Sequence, residues 1–229
     1  MGLLGNYYKL ALWQEILMIV ALLLLWLLYK NFRFVKKMRN PSIIEMQEEQ
    51  MHDIMKSFPK ESSDFLKEHF VFYDAFIFDV ALNEIDVFIY RHKEEAFYYY
   101  IFHYPKNKDN FMLFATYFTN AQTLTTTNSP YLKYHPFLED DFYQYFPDKT
   151  NKELLEYHKK GSAYLKTKLK SEIISFSNQK AHREFYLKSQ IEAMAKNGYF
   201  PILRFHKAAM TNDMSRYTKP IVNQIEGEK

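Results

Sequence analysis

The sequence predicts an α+β fold: an N-terminal transmembrane helix, a neck helix and a five-stranded antiparallel meander packed by C-terminal helices. Three observations lead there. An apolar run near the N-terminus passes directly into a cluster of bases, five aromatic and β-branched runs follow at hairpin spacing, and capping signals open and close periodic segments behind them. The expected organisation is 1–39 as anchor and basic juxtamembrane segment, 40–69 as neck helices, 70–200 as the α+β domain and 201–229 as a C-terminal tail.

Of 229 residues, those after the anchor suffice for one domain with a real core. With 21 Phe and 19 Tyr that core is aromatic, and buried tyrosine hydroxyls need partners. The absence of cysteine excludes disulfides, thiolate metal sites and cysteine nucleophiles. A net charge of +3 does not by itself point to nucleic acid.

From Ala11 to Tyr29 the chain offers 19 residues, about 28 Å of helix, close to the hydrocarbon thickness of a bilayer. Gln14 and Glu15 leave a strictly apolar part from Ile16 to Tyr29. A signal peptide of that length would carry its bases first and a small-residue cleavage site after, whereas this run ends in Tyr29, Lys30 and Phe32. A signal anchor is therefore expected. Tyr7, Tyr8 and Trp13 at one end, and Trp26 and Tyr29 at the other, sit where interfacial aromatic belts lie. Lys9 precedes the run, while Lys30, Arg33, Lys36, Lys37 and Arg39 follow it, so these five bases are placed on the membrane surface and residues 40–229 on the cytoplasmic side. A buried helix in a soluble protein is the alternative.

Asn40 and Pro41 read as an N-cap and first helical position. Ile44, Met51, Ile54, Met55 and Phe58 then form an apolar stripe that Pro59 stops. This neck helix either packs on its own domain or pairs with a second copy as a short coiled coil, which leaves oligomerisation open. A second helix is expected over 63–69. The five strand runs are Phe70–Val80, Ile85–Tyr90, Ala96–Tyr104, Phe111–Phe118 and Thr123–Thr127, joined by short polar gaps that suit antiparallel pairs. "FYYYIFHY" is aromatic on both faces, so helices should cover much of the sheet. After a proline-punctuated loop, "TNKE" at 150–153 is a capping box, opening a helix that Gly161 is expected to kink. A further helix fits Gln179–Asn197, with Ala181, Phe185, Ile191 and Ala195 inward and Gly198 and Pro201 ending it.

No glycine lies between Gly5 and Gly161, which excludes a P-loop, a dinucleotide-binding turn and a nucleophile elbow from the strand region. The eight histidines lack metal-ligand spacing, so no metal and no cofactor is expected. Glu139, Asp140 and Asp141 form an acidic run without the turn glycine of a calcium loop. The candidate acid–base residues are His158 on its helix's apolar face, His103, Asp79 and Asp86; core histidines satisfied by hydrogen bonds are the plainer reading. Tyr98, Tyr99, Tyr100 and Phe102 suggest a stacking platform, but residues 70–149 hold six bases against eleven acids, which argues against nucleic acid. Residues 152–189 hold nine bases against four acids, a basic helical pair suited to acidic headgroups or an acidic partner.

"FATYFTNAQTLTTTNSP" at 114–130, followed by "KELLEYH" at 152–158, resembles a segment of uncharacterised membrane-anchored bacterial proteins. That pattern carries a glycine in the turn, where this chain has Asn120 and Ala121. The resemblance implies no activity. The expectation is a single-pass, cytoplasm-facing interaction module with membrane lipid and a protein of unknown identity as partners. The alternatives are a domain that binds the lipid surface through its basic helices, and a membrane-tethered hydrolase with a His/carboxylate site.

Overall fold

The computed structural model describes residues 2–38, 42–80, 83–105, 109–130, 132, 141–196 and 214–226. Arg39, the Asn40–Pro41 cap, Glu139, Asp140, and the Gly198 and Pro201 stop signals lie outside them.

Helix α1 covers Gly2–Met38. Three residues later begins a mixed seven-stranded sheet with strands in chain order: β1 Ser42–Glu45, β2 Phe70–Val80, β3 Asn83–His92, β4 Tyr98–Tyr104, β5 Asp109–Tyr117, β6 Thr123–Thr127 and β7 Phe142–Tyr145. The first six pair antiparallel, and β6 and β7 pair parallel. The five expected strands are present as the middle of this sheet, but it is not a five-stranded antiparallel meander. Both added strands are four residues long, below the length at which alternation becomes readable.

β1 replaces the start of the expected neck helix. Ile43 and Ile44 are β-branched, and Ser42 to Glu45 pair with Asp79 to Phe76 on the edge of β2, which overrides the local cap signal. The helix there, α2, covers only Glu48–Lys56, followed by α3 over Lys60–His69. β7 reaches its parallel position because the chain from Asn128 to Asp141 is about as long as a parallel crossover requires.

Strand alternation divides the burial between two faces. On the first, Phe76, Phe78, Val87, Ile89, Tyr98 and Tyr100 pack under Phe176 and Tyr186. On the second, Phe88, Tyr90, Tyr99, Ile101 and Phe114 pack under α2, α3 and Leu154 and Leu155 of α4, which spans Asn151–Leu169. Met51, Ile54 and Met55, the stripe of the neck helix, belong to this second core. Tyr98, Tyr99 and Tyr100 are at most 1% exposed, so their rings are core and offer no stacking surface.

α4 opens on the expected capping box: Thr150 accepts from the Glu153 backbone N–H, and Glu153 accepts from the Thr150 backbone N–H. The helix runs through Gly161 without a break. A Cβ there would lie 3.1 Å from Gln144 Nε2 and from Ile221, and 3.2 Å from Leu124, so the glycine permits close seating of the helix on β6 and β7. Helix α5, Gln179–Lys196, lies across the sheet from α4, and the two basic helices do not form a pair. Its inward stripe is centred on His182 and Tyr186, with the expected Phe185 packed beside them against Tyr117 and Phe176, and Ile191 is 39% exposed. A 3-10 turn at Ser215–Thr218 and a short helix α6, Ile221–Glu226, close the described chain beside β7.

Candidate functional site

The N-terminal helix contains one window, Trp13–Lys30, long and apolar enough to cross a membrane; its mean hydropathy is 1.6 and none of it is buried. A core helix of a soluble protein is mostly covered, and this one is covered nowhere in the window. At its end, cations lie over rings one helical turn back: Lys30 Nζ is 4.5 Å from the Trp26 centroid, and the Arg33 guanidinium 6.0 Å from that of Tyr29. Lys36 and Lys37 lie on the same helix, two turns beyond the window.

The histidines fall into separate places. His158 is fully buried against β5 and β6, where its Nε2 is 2.9 Å from the Thr116 hydroxyl and its Nδ1 2.8 Å from that of Thr126. Gln144 continues the chain: its Nε2 donates to Thr126 Oγ1 at 2.8 Å, and its Oε1 accepts the Ile221 backbone N–H at 2.8 Å. Burial lowers the His158 pKa to about 3, so the ring is neutral at physiological pH, satisfied on both nitrogens and shut from solvent. It joins α4, β5, β6, β7 and α6; it has no route to a substrate.

On the other face, His182 of α5 is stacked on Phe176 at 4.5 Å and lies 4.4 Å from the Tyr98 ring. Its Nε2 is 2.7 Å from the Tyr100 hydroxyl, which is 2.6 Å from that of Tyr117. Burial lowers this imidazole to about 3 and raises both phenols. The sequence reading missed His182, although its i+3, i+4 and i+7 neighbours Phe185, Tyr186 and Ser189 carry the helical period that marked His158 as inward.

The third place holds the other candidates. Sheet register aligns Ile44, Ile77, Asp86, His103 and Asn110 in one row across β1 to β5, with Asp79 opposite Glu84 two register positions further toward the β2–β3 turn. Directly opposed residues lie about 5 Å apart at Cβ. His103 Nδ1 donates to Asn110 Oδ1 at 2.9 Å. Asp86 is 2% exposed and its Oδ2 is buried without a hydrogen-bond partner. Its carboxyl pKa is raised, by burial first and by Glu84, with His103 pulling the other way.

Asp86, His103 and Asn110 are thus brought together, with Asp79 two register positions away. His158 is not with them. It contacts Thr116, six residues along β5 from Asn110, or about 20 Å of strand. A site using both histidines does not exist in this fold, and among the described residues no group of three His, Asp or Glu side chains is arranged to hold a metal ion.

Neither a known protein family, nor a curated protein, nor a solved structure matches the chain.

Proposed function

We propose that the chain is a single-pass membrane-anchored interaction module, its α+β domain held on the cytoplasmic side. The observation that supports this most is the bare Trp13–Lys30 window, an 18-residue, mostly apolar stretch with nothing of its own fold upon it. The bases Lys30, Arg33, Lys36, Lys37 and Arg39 give the cytoplasmic sense and a contact with acidic headgroups.

The domain's chemistry favours interaction over catalysis. His158 and His182 at helix–sheet contacts are consumed in core networks, and His103 lacks a neighbouring nucleophile in its row. The basic helices speak less for lipid binding than their count suggests. Their bases lie on opposite faces of the sheet, and Lys159, Lys166 and Arg183 are paired with Glu95, Glu172 and Asp74.

The chain has no cysteine, so a single Lys168→Cys variant on an exposed turn of α4 reports the side of the membrane through an impermeant maleimide. Labelling only after permeabilisation is expected; labelling in intact cells would overturn the cytoplasmic assignment. In mild detergent the full chain should retain a protein that residues 1–39 alone do not, and recovery of none would count against the module reading.

A further inference from the structure

The path from anchor to sheet fixes more than attachment. α1 ends at Met38 and β1 begins at Ser42, four peptide steps that span at most about 14 Å. β1 enters the sheet opposite Asp79, at the end where β2 turns into β3. β3 runs about 31 Å from Asn83 to His92, more than twice the tether. The tether therefore holds this end of the sheet near the C-terminus of α1 and keeps the other, with the β3–β4 connection at Lys93–Ala96, at least about 17 Å from it.

Two further observations point to the same end. α5 climbs along β2: Gln179 donates to the Tyr73 carbonyl, Arg183 binds Asp74, and Tyr186 rests on Phe76 and Phe78. Its remaining ten residues rise about 15 Å beyond Tyr186, past the two residues left in β2, and carry the exposed Ile191. That end also opposes two acids, Asp79 and Glu84, across neighbouring strands, a like-charge pairing that costs stability unless a cation faces it. The juxtamembrane bases of α1 are among the cations within the tether's reach.

Resting on the membrane-anchor reading, we infer that the β2–β3 end of the sheet, with the C-terminal turns of α5, is the surface the domain sets on the bilayer. Its acids face the bases of α1, Ile191 reaches toward the headgroup layer, and the row of Asp86, His103 and Asn110 lies close to the membrane. The β3–β4 end is the pole open to a soluble partner.

The test uses the full chain with one cysteine, Ile191→Cys or Glu94→Cys, labelled with a donor dye and placed in phosphatidylcholine vesicles holding an acceptor-labelled lipid headgroup. Transfer from position 191 should exceed that from position 94 about threefold or more, given about 30 Å between the two ends. Adding Asp79→Lys and Glu84→Lys should lower the transfer at 191. Equal transfer from both positions, or more from 94, would overturn the inference while leaving the anchor intact. A chain that does not float with the vesicles would overturn the anchor reading and the inference with it.

Discussion

Arg183 of α5 grips Asp74 of β2 with two parallel hydrogen bonds, Nε to Oδ2 and Nη2 to Oδ1, each 2.7 Å. Asp74 follows the bulge at Tyr73, where β2 shifts register against β3, and only 3% of its side chain is exposed. The extra residue brings Asp74 onto the face that α5 covers. Arg183 also donates to the carbonyl of Ala75, and Gln179, one turn earlier, to that of Tyr73, so α5 satisfies edge carbonyls that β1 is too short to reach.

Removing the guanidinium strands a buried carboxylate. Arg183→Ala should destabilise the domain by about 3–5 kcal/mol in chemical denaturation, and Arg183→Lys should recover little, because an ammonium cannot make the bidentate contact. A loss below about 1 kcal/mol would show that Asp74 finds solvent or another partner.

Acid should weaken the fold before the carboxylates titrate. His158 and His182 are both held near 3 by burial and titrate near 6.5 when unfolded. With folded values depressed, the unfolded chain binds more protons below pH 6.5, so stability is full above that pH and is lost as pH falls toward 3. Between pH 6 and 4.5 two such groups give a slope of up to about 2.7 kcal/mol per pH unit. His182→Phe should cost about 1 kcal/mol at pH 7, since Tyr100 and Tyr117 keep their mutual bond, and should roughly halve that slope. An unchanged slope would mean that His182 is not held neutral.

Asp86 has the opposite sign. Its folded pKa is raised above the unfolded one, so its contribution is present below about pH 4 and lost as pH rises through the folded value. Asp86→Asn should therefore be more stable than the parent at pH 7, by about 1 kcal/mol or more, with the gain vanishing near pH 3. A destabilised variant at neutral pH would show that the carboxylate is ionised and has a partner there.

The turn after β5 also carries a readable cost. Ala121 has φ of 67°, and the neighbouring bonds, Phe118 N–H to the Gln122 carbonyl and Ala121 N–H to the Phe118 carbonyl, hold it there. Ala121→Gly should raise stability by about 1 kcal/mol by relieving the left-handed penalty. A neutral or negative change would mean that the added freedom of the unfolded chain outweighs it.

What the sequence made legible was local. The capping box at Thr150 and Glu153, β6 and the α5 start are set by adjacent residues. His158 was readable as an inward histidine from helical period alone, and the missed His182 carries the same signal. The rest depends on partners far along the chain. Asp74 meets Arg183 across 109 positions, and β1 is a strand only because the edge of β2 is there. The close seating of Gly161 likewise depends on Gln144, Leu124 and Ile221, which adjacent residues do not reveal.

The most direct measurement is alkaline carbonate extraction of membranes from cells expressing the full chain, compared with a variant carrying Leu22→Lys and Leu25→Lys in the apolar window. The account predicts that the parent stays with the membrane pellet and the charged variant moves to the supernatant, because each lysine at the centre of a span costs about 3 kcal/mol. A parent chain released by carbonate would contradict the anchor, and with it the proposed function and the membrane-facing end of the sheet.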